Sequence, residues 1–179
     1  MRSFGRVRSR SKQRSFLLRL VPAWSTNLSA KVVRRPKLFV SDVALAAHLQ
    51  GSSLSSLTRS GTSTVGPLLE TLAATELIRQ LPWSDTPATL GHFRDQSGIE
   101  VDLILEHPDS RIVGIEVKAT STPRAEDLRG LRFLAERLGD RFVYGCLLTL
   151  APEATPFGGN LAMLPISAPW DAVPVRRRR

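Results

Sequence analysis

The chain has 179 residues, of which 42% are apolar, and it carries 25 lysine and arginine residues against 16 acidic ones. This length and composition predict one globular domain with a real core and additional segments at the ends. No apolar run approaches the length of about twenty residues that crosses a bilayer, so we expect no membrane-spanning segment. The single cysteine, Cys146, excludes an intramolecular disulfide and indicates a reducing compartment such as the cytoplasm.

The positive charge is concentrated at the two ends of the chain. Residues 1–37 contain eleven basic residues and no acidic ones, and residues 176–179 are four arginines. Residues 38–175 therefore hold ten basic and sixteen acidic residues, a net charge of −6. Basic termini on an acidic body suit DNA or an acidic partner surface. A solvated leader without a specific ligand explains the same composition, and so does a transit peptide.

The elements that precede the core are predicted to be short. We expect a disordered basic leader at 1–14, followed by an arm with a short helix at 15–50. Within that arm, residues 38–40 form a strand candidate, and Ser41 or Asp42 has the side chain to cap the helix. Residues 51–64 are rich in serine, threonine and glycine, which predicts a flexible loop.

Residues 65–170 predict an α/β core, and 171–179 form a basic tail. In chain order, the core elements are a helix over 66–81, strands over 89–94, 99–106 and 111–118, a helix over 123–138 capped by Thr122, a strand over 141–150 and a short strand over 160–166. The main order is helix, three strands, helix, strand.

The second and third of these strands carry the most informative pattern. Alternation in residues 99–106 predicts one face for Ile99, Val101, Leu103 and Leu105 and the other for Glu100, Asp102, Ile104 and Glu106. Alternation in the next strand separates Val113, Ile115 and Val117 from Gly114, Glu116 and Lys118.

Pairing of these strands as a hairpin predicts that Asp102, Glu116 and Lys118 converge on one side of the sheet. Two carboxylates and a lysine at one point are the minimum set for holding a divalent metal against a phosphodiester. A second interpretation is a solvent-facing strand pair whose opposite charges stabilise each other across the ladder.

This order of elements, with acids on the first helix and second strand and Glu-x-Lys on the third strand, resembles the PD-(D/E)XK nuclease fold. More closely, the chain resembles the C-terminal domain, of largely unassigned function, in a family of bacterial AAA+ ATPases. The resembling segments span about residues 16–170 and are LVPAWSTNLSAKVVRRPKLFVSDVALAAHL, GPLLETLAATELIR, HFRDQSGIEVDLIL, GIEVKAT and LPISAPW.

The resemblance implies a restriction-endonuclease-like αβββαβ core with a mixed central sheet flanked by helices. It implies that Asp102, Glu116 and the Val117 carbonyl bind Mg²⁺ or Mn²⁺ directly. Lys118 would stabilise charge on the phosphate or orient the attacking water, and Glu70 would reach the metal through water.

The resemblance also implies an ATPase module, which we expect to be missing here or supplied by another chain. A phosphate-binding P-loop needs a lysine directly after a glycine, and no lysine in this chain follows one. The sequence therefore leaves two functional hypotheses. One is a metal-dependent phosphodiesterase that acts on DNA, and the other is a non-catalytic module that binds DNA or an ATPase partner.

Overall fold

The computed structural model describes residues 16–25, 33–53 and 64–171. The predicted basic leader, most of the predicted loop and almost all of the predicted basic tail lie outside these ranges. No helix within them is long and apolar enough to cross a membrane.

The described residues form eight strands and four helices. In chain order these are β1 (Leu18–Val21), β2 (Lys37–Val40), α1 (Val43–Leu49), α2 (Val65–Gln80), β3 (Thr89–Arg94), β4 (Glu100–Glu106), β5 (Ile112–Val117), α3 (Arg129–Leu138), β6 (Phe142–Thr149), β7 (Thr155–Gly158), β8 (Leu161–Pro165) and α4 (Ala168–Asp171). The predicted order of helix, three strands, helix and strand is confirmed over α2 to β6. The sequence did not predict β1 or β7.

A mixed six-stranded sheet with strand order β3-β4-β5-β6-β8-β7 organises the fold. The pairs β5–β6 and β6–β8 are parallel, and the other neighbours are antiparallel. Parallel neighbours need a crossover connection, and α3 supplies it between β5 and β6. The predicted mixed sheet flanked by helices is therefore confirmed.

Each face of the sheet is covered by one helix. On one face, α3 contributes Leu131, Leu134 and Leu138 to a core with Phe142 and Leu147. On the other face, α2 contributes Ala73 and Ala74, with Leu69, Leu77 and Ile78 partly buried against the same core. Because both faces are covered, charged side chains on the central strands lie inside the protein.

The N-terminal segment packs onto this sheet. Strands β1 and β2 pair with each other in an antiparallel arrangement, and Val21 and Phe39 enter the core beneath α2. The backbone of Trp24 then donates to the carbonyl of His92 on β3 at 2.7 Å. The segment that the sequence predicted as an arm thus contributes side chains to the interior.

The second predicted helix begins later than expected. A 3-10 turn over Ala125–Leu128 precedes α3, so the α-helix starts at Arg129 and not at residue 123. Thr122 is not its cap, because Leu128 precedes the first helical residue; the Thr122 N–H donates to Thr120 Oγ1 at 3.1 Å in a local turn. The Asp127 carboxylate accepts the backbone N–H of Arg124 at 2.7 Å and closes the turn.

A β-bulge interrupts β4 where Asp102 lies. Gly91 pairs with Ile104, but Phe93 pairs with Val101, so β4 has one residue more than β3 between these pairs. Val101 and Ile104 consequently share the face that packs against α3, while Leu103 lies in the core on the α2 side. The predicted strict alternation of β4 is therefore wrong at this point. Bulges of this kind redirect side chains.

Candidate functional site

Strands β4 and β5 separate beside Asp102. Their ladder ends at the pair Leu103–Ile115, although β5 continues to pair with β6 as far as Val117. The Asp102 carboxylate fills the gap, since its Oδ2 accepts the Val117 backbone N–H at 3.0 Å. A side-chain oxygen thereby replaces the main-chain acceptor that β4 no longer supplies.

Glu116 and Lys118 lie on the α3 side of this gap. Ile115 and Val117 point into the core beneath α2, so alternation directs Glu116 to the opposite face. Lys118 Nζ lies 2.8 Å from Glu116 Oε1. The second Glu116 oxygen, Oε2, is buried and has no hydrogen-bond partner in the described structure.

Glu70 approaches Asp102 through an intervening lysine. Helix α2 carries Glu70 and β2 carries Lys37, and the Lys37 ammonium lies 2.6 Å from Glu70 Oε1 and 3.0 Å from Asp102 Oδ1. Asp102 therefore accepts from Lys37 with one oxygen and from Val117 with the other.

The predicted site residues form one continuous cluster of charge. Asp102, Glu116 and Lys118 line the same cavity, and Val117 holds Asp102 through its N–H. Asp102 and Glu116 are only 9% and 7% exposed. The alternative interpretation of a solvent-facing strand pair is therefore wrong, because ion pairs of that kind belong to hydrated surfaces.

Burial and neighbouring charge shift the protonation of this cluster. Burial, assisted by the negative charge of Asp102, raises the pKa of Glu116 to about 7, against the opposing effect of Lys118. Burial and Asp102 also raise the pKa of Glu70. Burial opposes the charged form of Lys37, but Asp102 and Glu70 outweigh it and raise the pKa of that ammonium. The two lysines are thus held as cations among three carboxylates.

An acidic cavity of about 270 Å³ opens at Glu116 and Lys118. Its lining consists of Gly98, Ile99, Glu100, Asp102, Glu116, Lys118, Glu126, Asp127, Arg129 and Gly130. Acidic side chains outnumber basic ones in this lining, so the cavity favours a cation and disfavours an uncompensated polyanion.

The side chains around the cavity fit a divalent cation held by two carboxylates. No group of three or more His, Cys, Asp or Glu side chains in the described ranges is arranged to hold a metal. Mg²⁺ and Mn²⁺ nevertheless bind through one or two carboxylates with water and substrate phosphate as the remaining ligands. Asp102 and the unpartnered Glu116 Oε2 are oxygen donors of this type. The Val117 carbonyl belongs to the residue whose N–H points into the same gap.

The sequence did not predict Lys37 as a member of the site. It lies at the end of the basic segment 1–37. Because this segment carries many positive charges, we predicted that it binds an external partner. Strand alternation places Lys37 on the same face as Phe39, but Leu38 and Val40 on the other face are also apolar, so the sequence pattern does not show which face is buried. Phe39 is buried, so that face points inward.

Two further residues near the site have structural contacts. His92 is buried and its Nε2 donates to the Arg35 carbonyl at 3.0 Å, and burial lowers its pKa. It is therefore a neutral core histidine. Arg94 pairs with Glu100 at 3.0 Å on the rim of the cavity.

Comparison with curated proteins finds no match to this chain. A family model described as a domain of unknown function, DUF4143, matches residues 65–168. The matched segment runs from α2 to the start of α4 and contains Glu70, Asp102, Glu116 and Lys118, but it does not contain Lys37. Because the match covers more than half of the 179 residues, the chain belongs to the DUF4143 family.

Proposed function

We propose that the cavity is a divalent-cation-dependent site for hydrolysis of phosphodiester bonds in DNA, built in the manner of a PD-(D/E)XK nuclease. The observation that carries this proposal is the buried, unpartnered Oε2 of Glu116, which shares a cavity with Asp102 and Lys118. A buried carboxylate oxygen without a donor is costly to maintain. A bound cation would satisfy it.

The roles of the residues follow from their contacts. Asp102 and Glu116 would hold the cation, which when bound neutralises phosphate charge and lowers the pKa of a water nucleophile. The backbone N–H of Val117 fixes the orientation of Asp102. Lys118 is about two-fifths exposed at its side chain, so its ammonium can turn from Glu116 towards a phosphate oxygen or an attacking water.

Glu70 acts in this proposal through Lys37. Its Oε1 lies on the Lys37 ammonium at 2.6 Å, and it does not line the cavity. It would therefore hold the Lys37 ammonium beside Asp102, and the carboxylates of Asp102 and Glu116 on the strands would bind the metal. This differs from the sequence-based hypothesis, in which Glu70 reached the metal through water.

The order of elements supports a restriction-endonuclease-like interpretation of the fold, in which the acid-bearing β4 and the Glu-x-Lys strand β5 are neighbours. The resemblance of the sequence to the C-terminal domain of AAA+ ATPases supports the related proposal that the domain works beside an AAA+ ATPase, in the same polypeptide or in another chain. Fold alone does not imply hydrolysis, so activity has to be measured directly.

The direct test is nicking of supercoiled plasmid in Mg²⁺ or Mn²⁺. Wild type is compared with Asp102→Asn and Glu116→Gln, which keep side-chain volume, and with Arg79→Gln as a control that loses an ion pair outside the cavity lining. We expect nicking that requires the metal, persists in the control and falls at least a hundredfold in both site variants. Equal nicking by wild type and both site variants would mean that a contaminant cuts the DNA.

A second candidate function is a non-catalytic module that binds DNA or an acidic partner through its basic termini. The distribution of charge along the chain favours this second function. The acidic lining of the cavity offers little attraction for DNA, whereas every charged residue in 1–37 and 176–179 is basic. This candidate predicts metal-independent, salt-sensitive binding that survives Glu116→Gln. Deletion of residues 1–14 and 176–179 should weaken that binding sharply, and unchanged affinity after the deletion would argue against it.

A further inference from the structure

Lys37 reaches the centre of the carboxylate cluster from outside the matched family segment. Its strand, β2, pairs with β1, and Phe39 on the same face is buried in the core beneath α2. The aliphatic part of Lys37 is thereby led inward, and its ammonium contacts both Glu70 and Asp102. Two strong contacts to carboxylates are more than a surface lysine ordinarily keeps.

These contacts divide the carboxylate oxygens into two sides. On the α2 side, Lys37 engages Glu70 Oε1 and Asp102 Oδ1. On the α3 side, Lys118 engages Glu116 Oε1, and Glu116 Oε2 has no partner in the described structure. A divalent ion that enters from the cavity therefore meets Glu116 first and must share Asp102 with an ammonium already in place.

We propose that Lys37 is a resident cation that competes with a divalent ion for Asp102 and thereby limits how tightly the site binds metal. The inference rests on the proposed function, because it assumes that metal binds at Asp102 and Glu116. Lys37 is a positioning residue in this scheme, since it acts on the metal through Asp102. Loss of its positive charge removes both the competing donor and the repulsion that it exerts on an incoming cation.

The test is calorimetric titration of the full chain with Mn²⁺ alone. Lys37→Met keeps the length and apolar character of the side chain and removes the charge. We expect this variant to bind Mn²⁺ at least tenfold more tightly than wild type. Arg79→Gln also removes one positive charge from an ion pair, with Glu76 on α2, and should change the affinity by less than twofold.

The outcomes separate this inference from the proposed function. Loss of Mn²⁺ binding in Glu116→Gln would show that wild type binds the ion through Glu116. If wild type binds in this way and Lys37→Met binds with the same affinity as wild type, the inference is wrong and the proposed site stands. If wild type shows no Glu116-dependent binding but Lys37→Met does, the inference holds and the proposed function of the native chain fails. If neither binds Mn²⁺, both fail.

A second variant keeps the test decisive if Lys37→Met does not fold. Removal of Lys37 alone leaves the Glu70 carboxylate without a positively charged partner. Lys37→Met is therefore combined with Glu70→Gln, which removes the negative charge of Glu70 as well. The double variant should show the same increase in Mn²⁺ affinity over Glu70→Gln alone. Equal affinity in these two proteins would overturn the competition that we propose.

Discussion

Asp102 Oδ2 accepts the backbone N–H of Val117 at 3.0 Å and so bridges two neighbouring strands at the point where their ladder ends. The contact gives this carboxylate a structural role besides any role in binding metal. The two roles can be separated by substitution.

We expect Asp102→Ala to lower the free energy of unfolding by roughly 1–3 kcal/mol, because it leaves the buried Val117 N–H without an acceptor. Asp102→Asn retains an oxygen that can accept the same N–H, so its cost should be smaller by about 1 kcal/mol. Urea unfolding monitored by circular dichroism measures both. Equal destabilisation by the two variants would show that the bridge contributes nothing.

The pH dependence of stability should report the burial of Glu116. Its pKa is raised to about 7 in the folded protein from an ordinary value of 4.5, so the folded state binds the proton more tightly than the unfolded state does. The contribution of Glu116 to the free energy of unfolding is therefore unchanged below pH 4.5, falls as the pH rises from 4.5 to 7, and stays at its lower value above 7.

Glu116→Gln removes this titration and should stabilise the protein at pH 8 by roughly 1–3 kcal/mol. The difference from wild type should shrink as the pH falls and vanish near pH 4, where Glu116 is protonated in both states. Urea unfolding of the two proteins from pH 4 to 8, without metal, tests this. A constant difference across that range would contradict a raised pKa of Glu116.

The N-terminal segment should contribute measurably to stability through Trp24. Its indole Nε1 donates to Glu106 Oε2 at 3.0 Å, and its ring packs edge to face against Phe93. Trp24→Phe loses the hydrogen bond and part of the packing, so we expect a loss of roughly 1–2 kcal/mol in unfolding free energy. Trp83 is 85% exposed, and Trp83→Phe is the matched control with an expected change within about 0.5 kcal/mol.

Close contact between α3 and β4 depends on Gly130. A methyl group there would overlap the carbonyl oxygen of Glu100, so the helix would have to move away from the cavity wall. We expect Gly130→Ala to destabilise the protein by roughly 1–3 kcal/mol. Gly66 lies in α2 with open space where a Cβ would be placed, and Gly66→Ala should instead stabilise by about 0.5–1 kcal/mol. Thermal unfolding distinguishes the opposite signs.

The sequence predicted the central elements well because their patterns are local. Helix α2, the hairpin of β4 and β5, and the apolar strand β6 each follow from periodicity and from turn residues such as Pro108 and Asp109. Strand β7 was missed because Pro156 and Gly158 argue against a strand, and it forms here as an edge strand of the sheet, where such residues are tolerated.

The bulge beside Asp102 could not be predicted from alternation. Leu103 and Ile104 are both apolar and both buried, on opposite sides of a sheet that is covered on both faces. An extra residue in β4 therefore still places an apolar side chain on each face at this point. The sequence pattern gives no sign of the bulge. The role of Lys37 depends likewise on tertiary packing, since 65 residues separate it from Asp102.

The position of Lys37 before the matched segment has a practical consequence for fragments of this chain. A protein trimmed to residues 65–168 would keep every acid of the centre but would lack one of its two ammonium groups. It would also lack Val21 and Phe39, which pack in the core beneath α2. Tests of the proposed metal site therefore require the two N-terminal strands as well as the matched segment.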